Sequence, residues 1–252
     1  MNYSGINWTE LSWNPITGCT KISEGCKHCY AETMAKRLHA MHQKHYKNEF
    51  KLTLHPDTLG DPLKRKKPAK IFVCSMSDIF HKDVPYEFLK SIYQTMVDAP
   101  QHTFQLLTKR IERASDLVPK LLTDLFGNTL ASNLSNVWLG TTVENQNNIK
   151  RLEVLADIPA QVRFASVEPM LSQITLGQKY NLDWLIIGCE SGDHRRPCDL
   201  IWVREIVKEC RELGIAPWVK QLNIDGKVIE NIEQFPKDLQ IREYPNLIKV
   251  SL

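Results

Sequence analysis

The segment Lys70-Ile-Phe-Val-Cys-Ser-Met-Ser-Asp78 joins a short apolar run to a cluster of polar side chains. The run is apolar throughout rather than alternating, which predicts a strand that is buried on both faces, as in a parallel sheet. Ser75, Ser77 and Asp78 would then lie at the carboxyl end of that strand, where parallel α/β folds bind ligands. The segment thus predicts a buried strand and one part of a ligand site.

The same arrangement recurs along the rest of the chain. Apolar runs predict strands at residues 70–74, 103–107, 137–140, 162–165, 183–188 and 217–219. Amphipathic runs predict helices at residues 86–97, 111–126, 146–156 and 201–213. Repeated strand–helix alternation predicts one α/β domain, either a parallel barrel or a doubly wound sheet.

Each predicted strand ends in polar residues. The candidate site residues at these ends are Ser75, Ser77, Asp78, Lys109, Arg110, Thr142, Glu144, Ser166, Glu168, Glu190 and Lys220. Helix capping is the alternative for any single cluster of Ser, Thr or Asp. Lysine, arginine and glutamate are not capping types, however, and six clusters on one edge predict a site for a large polar ligand.

Three cysteines precede the first of these predicted strands, with the spacing Cys19-x6-Cys26-x2-Cys29. Three thiolates are one ligand short of a closed structural zinc site. A 4Fe–4S cluster held by three thiolates instead leaves one iron open to a small molecule. Both interpretations stay open from the residues alone.

The zinc interpretation requires a fourth ligand from nearby in the chain. A helix is predicted at residues 30–45, and its candidate ligands are His39, His42 and His45. Such a protein would be a zinc-stabilised nucleic-acid-binding protein without catalysis. Residues 46–69 are predicted to form a surface excursion, and residues 223–252 a C-terminal flap on the single domain 1–252.

Composition excludes several classes of protein. The 252 residues are 42% hydrophobic and 24% charged, as in ordinary globular chains. No apolar run approaches a membrane span and no secretory signal is visible, so we expect no membrane partner. The seven cysteines are scattered in a chain that needs no disulfide framework, which favours the cytoplasm. The net charge of +3 permits a nucleic-acid partner.

A series of motifs extends these observations. They are Trp13-Asn-Pro-Ile-Thr-Gly-Cys19, Gly25-Cys-Lys-His-Cys-Tyr-Ala-Glu32, Ser75-Met-Ser-Asp-Ile-Phe-His81, Leu106-Leu-Thr-Lys-Arg110, Gly140-Thr-Thr-Val-Glu-Asn145 and Ser166-Val-Glu-Pro169. Together they resemble a phage-associated three-cysteine family of unassigned function, which is similar to the radical S-adenosylmethionine (SAM) enzymes. The resemblance covers residues 8–221. Two departures are the longer Cys-x6-Cys spacing and Cys189, which stands where that family has glycine.

The resemblance implies a partial (β/α) barrel of parallel strands that binds a 4Fe–4S cluster through Cys19, Cys26 and Cys29. SAM would chelate the open iron, and the radical formed from it would abstract hydrogen from a nucleotide or nucleic acid, as in nucleic acid modification. A flavodoxin- or ferredoxin-type protein would be the electron donor.

The resemblance also implies roles for the strand-end residues. His28 would pack beside the adenine of SAM. The methionine ammonium would bind Ser75, Ser77 and Asp78, and the ribose would face Thr142 and Glu144, with Ser166 and Glu168 nearby. Lys109, Arg110 or Lys220 would pair with a carboxylate or phosphate. The remaining alternative is a SAM-independent enzyme with Cys189 as nucleophile and Glu190 as base.

Overall fold

The computed structural model describes residues 1–127 and 134–246. The chain divides into two compact units. Unit 1 comprises Met1–Thr141 and Asp157–Gln161, and unit 2 comprises Thr142–Ala156 and Val162–Leu252. The predicted organisation as one domain stays a prediction.

Strands and helices alternate along residues 70–224, except that no helix lies between the described strands at residues 162–167 and 184–188. The strands of the described residues are β1 (Asn2–Tyr3), β2 (Leu11–Trp13), β3 (Ile16–Thr17), β4 (Thr53–Leu54), β5 (Lys70–Val73), β6 (Thr103–Thr108), β7 (Val137–Thr142), β8 (Val162–Val167), β9 (Trp184–Gly188), β10 (Ala216–Ile224) and β11 (Lys227–Ile229). The α-helices there are α1 (Tyr30–Ala40), α2 (Tyr86–Asp98), α3 (Ile111–Phe126), α4 (Lys150–Ala156) and α5 (Leu200–Leu213). All six predicted strands and all five predicted helices correspond to members of this set.

The fold is mixed α/β, as predicted, with a large and mostly parallel sheet of nine strands among the described residues. In unit 1, β2, β5, β6 and β7 are parallel neighbours and β1 is antiparallel to β2. In unit 2, β8, β9 and β10 are parallel and β11 is antiparallel to β10. The described strands form no closed barrel, so the predicted barrel is not confirmed.

Unit 1 packs two helices against its strands. Helix α2 buries Leu89, Ile92 and Met96, which recur at helical spacing on one face. Trp13 of β2 is fully buried, and its ring centroid lies 5.9 Å from that of Phe104 in β6. The ring contact joins β2 to β6, and β5 pairs with both of these strands. The carboxyl ends of β5 and β6 carry the first group of predicted site residues.

Unit 2 has a core rich in tryptophan. The fully buried ring of Trp184 in β9 stacks on Tyr244 at 5.5 Å and meets Trp218 edge-on at 5.8 Å. The indole N–H of Trp184 donates to the carbonyl of Glu243 at 2.8 Å. The predicted C-terminal flap therefore packs back onto β9 and β10 up to residue 246, and the rest of it lies outside the described residues.

Two predicted segments differ from the structure. The helix predicted at residues 30–45 ends at Ala40, because His42 has a left-handed backbone with φ of 55°. The predicted excursion at residues 46–69 contains strand β4, which pairs with β3, and the buried side chain of His55. Among the described helices, none has the length and apolar character required to cross a bilayer.

Candidate functional site

Gly18 determines where the first cysteine of unit 1 lies. Its φ is +80°, and its N–H donates to the carbonyl of Met76 at 3.0 Å. A Cβ at this position would lie 2.3 Å from the carbonyl oxygen of Lys51, so only glycine fits. The N–H of Cys19 then donates to the carbonyl of Phe50 at 3.2 Å. Cys19 is thereby held at the end of β5.

The other two cysteines lie at the start of α1. Cys26 ends a 3₁₀ turn, Glu24–Cys26, and Cys29 is the residue immediately before α1. The hydroxyl of Ser23 lies 3.6 Å from Sγ of Cys26. Cys19, Cys26 and Cys29 are all partly exposed thiols, whereas the other four cysteines of the chain are buried. The predicted metal ligands are therefore the accessible thiols.

Asp78 connects the ends of β5 and β6. Its Oδ1 accepts from the hydroxyl of Thr108 at 2.7 Å, and its Oδ2 accepts from the N–H of Lys109 at 3.2 Å. Its Oδ2 also accepts from Nη1 of Arg110 at 2.9 Å in an almost fully buried ion pair. The same Nη1 donates to Sγ of Cys19 at 3.5 Å, and Nη2 donates to the carbonyl of Thr20 at 2.9 Å.

The electrostatic environments of Cys19 and Cys26 differ. Burial raises the pKa of Cys19, and the positive charge of Arg110 opposes that effect only in part. Burial alone would raise the pKa of Cys26 as well, but the backbone N–H of Ile22 and the charge of Lys109 lower it below its usual value. Cys26 is therefore the more readily ionised of these two thiols.

The remaining predicted residues of unit 1 surround the cysteine loop. The hydroxyl of Ser75 donates to Oδ1 of Asn14 at 3.1 Å, and that of Ser77 donates to the carbonyl of Gly18 at 2.5 Å. Both serines are partly exposed, as are His28 and Lys109. Ser77 thus holds Gly18 next to the first cysteine and Ser75 holds Asn14, roles that their sequence positions did not reveal.

Two of the three histidines proposed as zinc ligands, His39 and His45, lie beside other groups. A ring nitrogen of His39 lies 3.0 Å from the carbonyl of Tyr46, and Nε2 of His45 lies 3.3 Å from Oδ2 of Asp57. Within the described residues, the three-ligand group found close enough to hold one ion is His45 with His55 and Asp57, and none of the three site cysteines belongs to it. No three-ligand group among the described residues therefore joins a histidine to these cysteines, and the zinc interpretation stays a prediction.

In unit 2, the residues predicted to face a ribose are buried. Glu144 is fully buried, and its Oε2 accepts from Nη1 of Arg151 at 2.7 Å and from Nδ2 of Asn148 at 2.9 Å. The carbonyl of Thr142 also accepts from Arg151 at 2.7 Å. Ser166 is buried, and its carbonyl accepts from the N–H of Val143 at 2.9 Å. This cluster ties the turn after β7 to α4 and β8.

Two further ion pairs lie at the strand ends of unit 2. Lys220 of β10 pairs with Glu168, and both side chains are partly exposed. Oε2 of Glu190 accepts from the backbone N–H of Arg196 at 2.8 Å and from its Nε at 2.9 Å. Oε1 of Glu190 pairs with Nη2 of the same guanidinium. Each predicted acid at these ends therefore has a cationic partner.

Cys189 has the environment of an inert thiol. It is 1% exposed, and burial, followed by the negative charge of Glu168, raises its pKa to about 11. A thiol with such a pKa is almost entirely protonated at neutral pH, whereas the nucleophile must be the thiolate. These observations weaken the alternative in which Cys189 attacks a substrate with Glu190 as base.

Comparison with known proteins places this geometry in a family. The sequence profile of the family described as "protein of unknown function (DUF5131)" matches residues 3–243. The chain belongs to the DUF5131 family. No curated protein and no solved structure matches it. The family description assigns no activity, so the function of the DUF5131 chain is argued from its site.

Sequence reasoning missed several residues that organise this DUF5131 site. Gly18 and Thr108 position Cys19 and Asp78, and Arg151 neutralises Glu144. Gly18 was a usable signal, because glycine is the residue that adopts a positive φ without steric cost. Arg151 carried no signal, because a charged residue on an amphipathic helix usually faces solvent.

Proposed function

We propose that this DUF5131 protein is a radical SAM enzyme in which Cys19, Cys26 and Cys29 bind a 4Fe–4S cluster. The observation that carries the proposal is that the three partly exposed cysteines lie in one loop of unit 1 and are accompanied by basic side chains. When bound, such a cluster supplies the electron that cleaves SAM to a carbon-centred radical.

The charges around the thiols fit an anionic cluster. Arg110 donates to Cys19, and the charge of Lys109 acts on Cys26. Lys21 forms a 2.8 Å salt bridge with Glu32, and this hydrogen bond is the main reason why the pKa of Lys21 is raised. The neighbouring Cys29 and Cys26 raise it further. Cations near thiolates favour the ionised form that metal binding requires. The residues present therefore fit three-thiolate ligation.

Asp78 and Arg110 would position the thiol of Cys19. Asp78 orients the guanidinium of Arg110, which donates to Cys19 and holds Thr20 in place. Hydrogen bonds to a ligating sulfur stabilise the reduced state of an iron–sulfur centre. In unit 1, the predicted contacts of His28, Ser75, Ser77 and Asp78 with SAM, and of Lys109 or Arg110 with a carboxylate or phosphate, stay predictions.

The proposal extends to substrate and partner. A nucleotide or nucleic-acid substrate is supported by the net charge of +3 and by the resemblance described above. A flavodoxin- or ferredoxin-type protein would supply the electron in the cytoplasm. The roles of Thr142, Glu144, Ser166, Glu168, Lys220, Cys189 and Glu190 stay predictions.

Anaerobic purification with metal and sulfide analysis tests the proposal. We expect about four irons per chain and an electron paramagnetic resonance signal of the reduced protein that shifts when SAM is added. Cys19→Ser, Cys26→Ser and Cys29→Ser should each lose most of the iron while keeping the circular dichroism of the wild type. Cys198→Ala is the matched control, because that cysteine is buried in unit 2, and it should keep the iron.

Two results would overturn the proposal. Zinc instead of iron in the anaerobic protein would support the structural zinc interpretation. A 4Fe–4S signal that SAM does not change would leave an iron–sulfur protein without the SAM chemistry.

A further inference from the structure

Three metal-binding side chains of unit 1 converge outside the cysteine loop. One ring nitrogen each of His45 and His55 and a carboxylate oxygen of Asp57 lie within 4.8 Å of one another. Nε2 of His45 lies 3.3 Å from Oδ2 of Asp57, and the two imidazole centroids are 4.4 Å apart. Two imidazoles and a carboxylate are a ligand set that suits zinc and other first-row divalent cations.

The strand pair β3–β4 positions the most buried of the three. Ile16 and Thr17 of β3 pair with Leu54 and Thr53 of β4, and the N–H of His55 continues the pairing to the carbonyl of Pro15 at 2.8 Å. The side chain of His55 is consequently buried, with the residue 4% exposed. Its ring is therefore fixed in the folded protein before any ion binds.

Hydrogen bonding by Thr17 selects the tautomer of His55. The hydroxyl of Thr17 lies 2.8 Å from Nε2 of His55 and donates to the carbonyl of His45 at 3.2 Å. A carbonyl can only accept, and a hydroxyl has one proton, so Nε2–H of His55 donates to Thr17. Nδ1 of His55 then carries the lone pair, and a hydroxyl or carbonyl that fixes the other nitrogen is typical of ligating histidines.

The charge of the cluster also suits a cation. The carboxylate Oδ2 of Asp57 accepts from Nζ of Lys44 at 2.7 Å and lies 3.3 Å from Nε2 of His45. An ammonium thus already occupies the position beside the carboxylate at which a cation would bind. Lys44 is 80% exposed, and its ammonium can move into solvent when an ion takes its place.

We propose that His45, His55 and Asp57 form a second metal site in this DUF5131 protein, which binds a divalent zinc-type ion. The ion would connect the 3₁₀ turn Lys44–Tyr46 to the turn Pro56–Thr58 and hold both against Thr17. Because Thr17 lies two residues before Cys19, this site would stabilise the base of the cysteine loop. It contributes no ligand to the proposed cluster and does not depend on it.

Zinc titration of the full chain with the cysteine site removed tests the proposal. In a Cys19→Ser/Cys26→Ser/Cys29→Ser protein, calorimetry should detect one Zn²⁺ per chain. Adding His45→Ala or Asp57→Asn should weaken binding at least tenfold, since each removes a ligand. His42→Asn is the matched control, because His42 lies outside the cluster and asparagine tolerates its positive φ, and it should leave the affinity unchanged.

Thr17 provides an independent test, because it touches the site without being a ligand. Thr17→Val removes the hydroxyl at nearly constant volume and should weaken zinc binding about tenfold, the scale of lost outer-shell partners. Thr17→Ser retains the hydroxyl and should restore the affinity. A purely structural role for Thr17 would change thermal stability in both variants without this difference in affinity.

A spectroscopic experiment covers the case in which the triple serine protein fails to fold. Co²⁺ added to the wild-type protein should give visible d–d bands, and His45→Ala and Asp57→Asn should remove the part that comes from the histidine–carboxylate site. The d–d bands and the thiolate-to-cobalt charge-transfer band of the cysteines should persist. The proposal is overturned if no zinc binds to the folded triple serine protein. It is equally overturned if His45→Ala and Asp57→Asn leave the zinc affinity or the cobalt d–d bands unchanged.

Discussion

Nη1 of Arg110 lies 3.5 Å from Sγ of Cys19 and 2.9 Å from Oδ2 of Asp78. One cation thus connects a thiol that follows β3 to a carboxylate that follows β5, and Arg110 itself follows β6. A guanidinium is always charged and presents several donors in a fixed plane, so it can make both contacts and also hold Thr20. Arg110 therefore links the predicted ligand loop to the ends of the parallel strands.

Arg110→Lys should preserve the fold but change the proposed cluster. A lysine has one ammonium and cannot replace the contacts to Cys19, Asp78 and Thr20 together. Loss of one hydrogen bond to a ligating sulfur should lower the midpoint potential by tens of millivolts, since about 60 mV corresponds to about 1.4 kcal/mol for one electron. Potentiometric titration checks this, with Arg37→Lys on the exposed face of α1 as control. An unchanged potential would contradict the role of Arg110.

Asp78→Asn should destabilise unit 1. The substitution removes the negative charge that pairs with the nearly buried guanidinium of Arg110. It also weakens the hydrogen bonds that Thr108 and Lys109 donate to this side chain. We expect the free energy of unfolding to fall by about 2–3 kcal/mol, the range for hydrogen bonds to charged groups. Urea denaturation measures the change. Asp83→Asn is the control, because that side chain is 56% exposed, and the prediction is wrong if both variants lose equal stability.

Gly18→Ala should disrupt the cysteine loop. The new Cβ would lie 2.3 Å from a backbone oxygen, and the φ of +80° is unfavourable for alanine. Either the backbone at residues 50–51 moves or Cys19 is displaced, and iron content should fall to a small fraction of the wild-type value. Gly60→Ala is the matched control, since nothing lies within 4 Å of its Cβ position. Equal iron in both variants would refute the argument.

Cys189 should resist alkylation at neutral pH. Its pKa is raised from 9.0 to about 11, which reduces the thiolate fraction near pH 7.5 about 100-fold relative to an ordinary thiol. Burial should slow the reaction further, and reactivity should rise only as the pH approaches 11. Iodoacetamide labelling followed by peptide mass spectrometry measures this, with the denatured chain as reference. Rapid labelling of Cys189 in the folded protein would restore it as a candidate nucleophile.

Lys44→Gln should strengthen zinc binding at the proposed second site. Nζ of Lys44 lies 2.7 Å from the Oδ2 of Asp57 that a metal would use, so the lysine competes with the ion. Exposed ion pairs are weak, so we expect an affinity gain of about two- to fivefold. The control is Lys47→Gln, also exposed but outside the Asp57 ion pair. A loss of affinity in Lys44→Gln would show that the lysine supports the site.

Regular elements of this chain were predictable where their pattern is local. The apolar run at residues 70–74 became β5, and the amphipathic run at residues 111–126 became α3 with identical ends. Strands β3 and β4 were missed because each has only two residues and their partners lie far apart in the chain, on either side of residues 18–52. The end of α1 at Ala40 was missed because its cause, the positive φ of His42, has no glycine to indicate it.

The sequence by itself determined the family, the α/β alternation and the three thiols with their spacing, because these depend on residues that are near one another in the chain. Only the tertiary structure decided which charges meet those thiols. Arg110 reaches Cys19 across 91 positions, and Thr17 meets His55 across 38. Such contacts depend on the register of paired strands and on the closing of loops, which bring distant residues together and leave no periodic signal in the sequence.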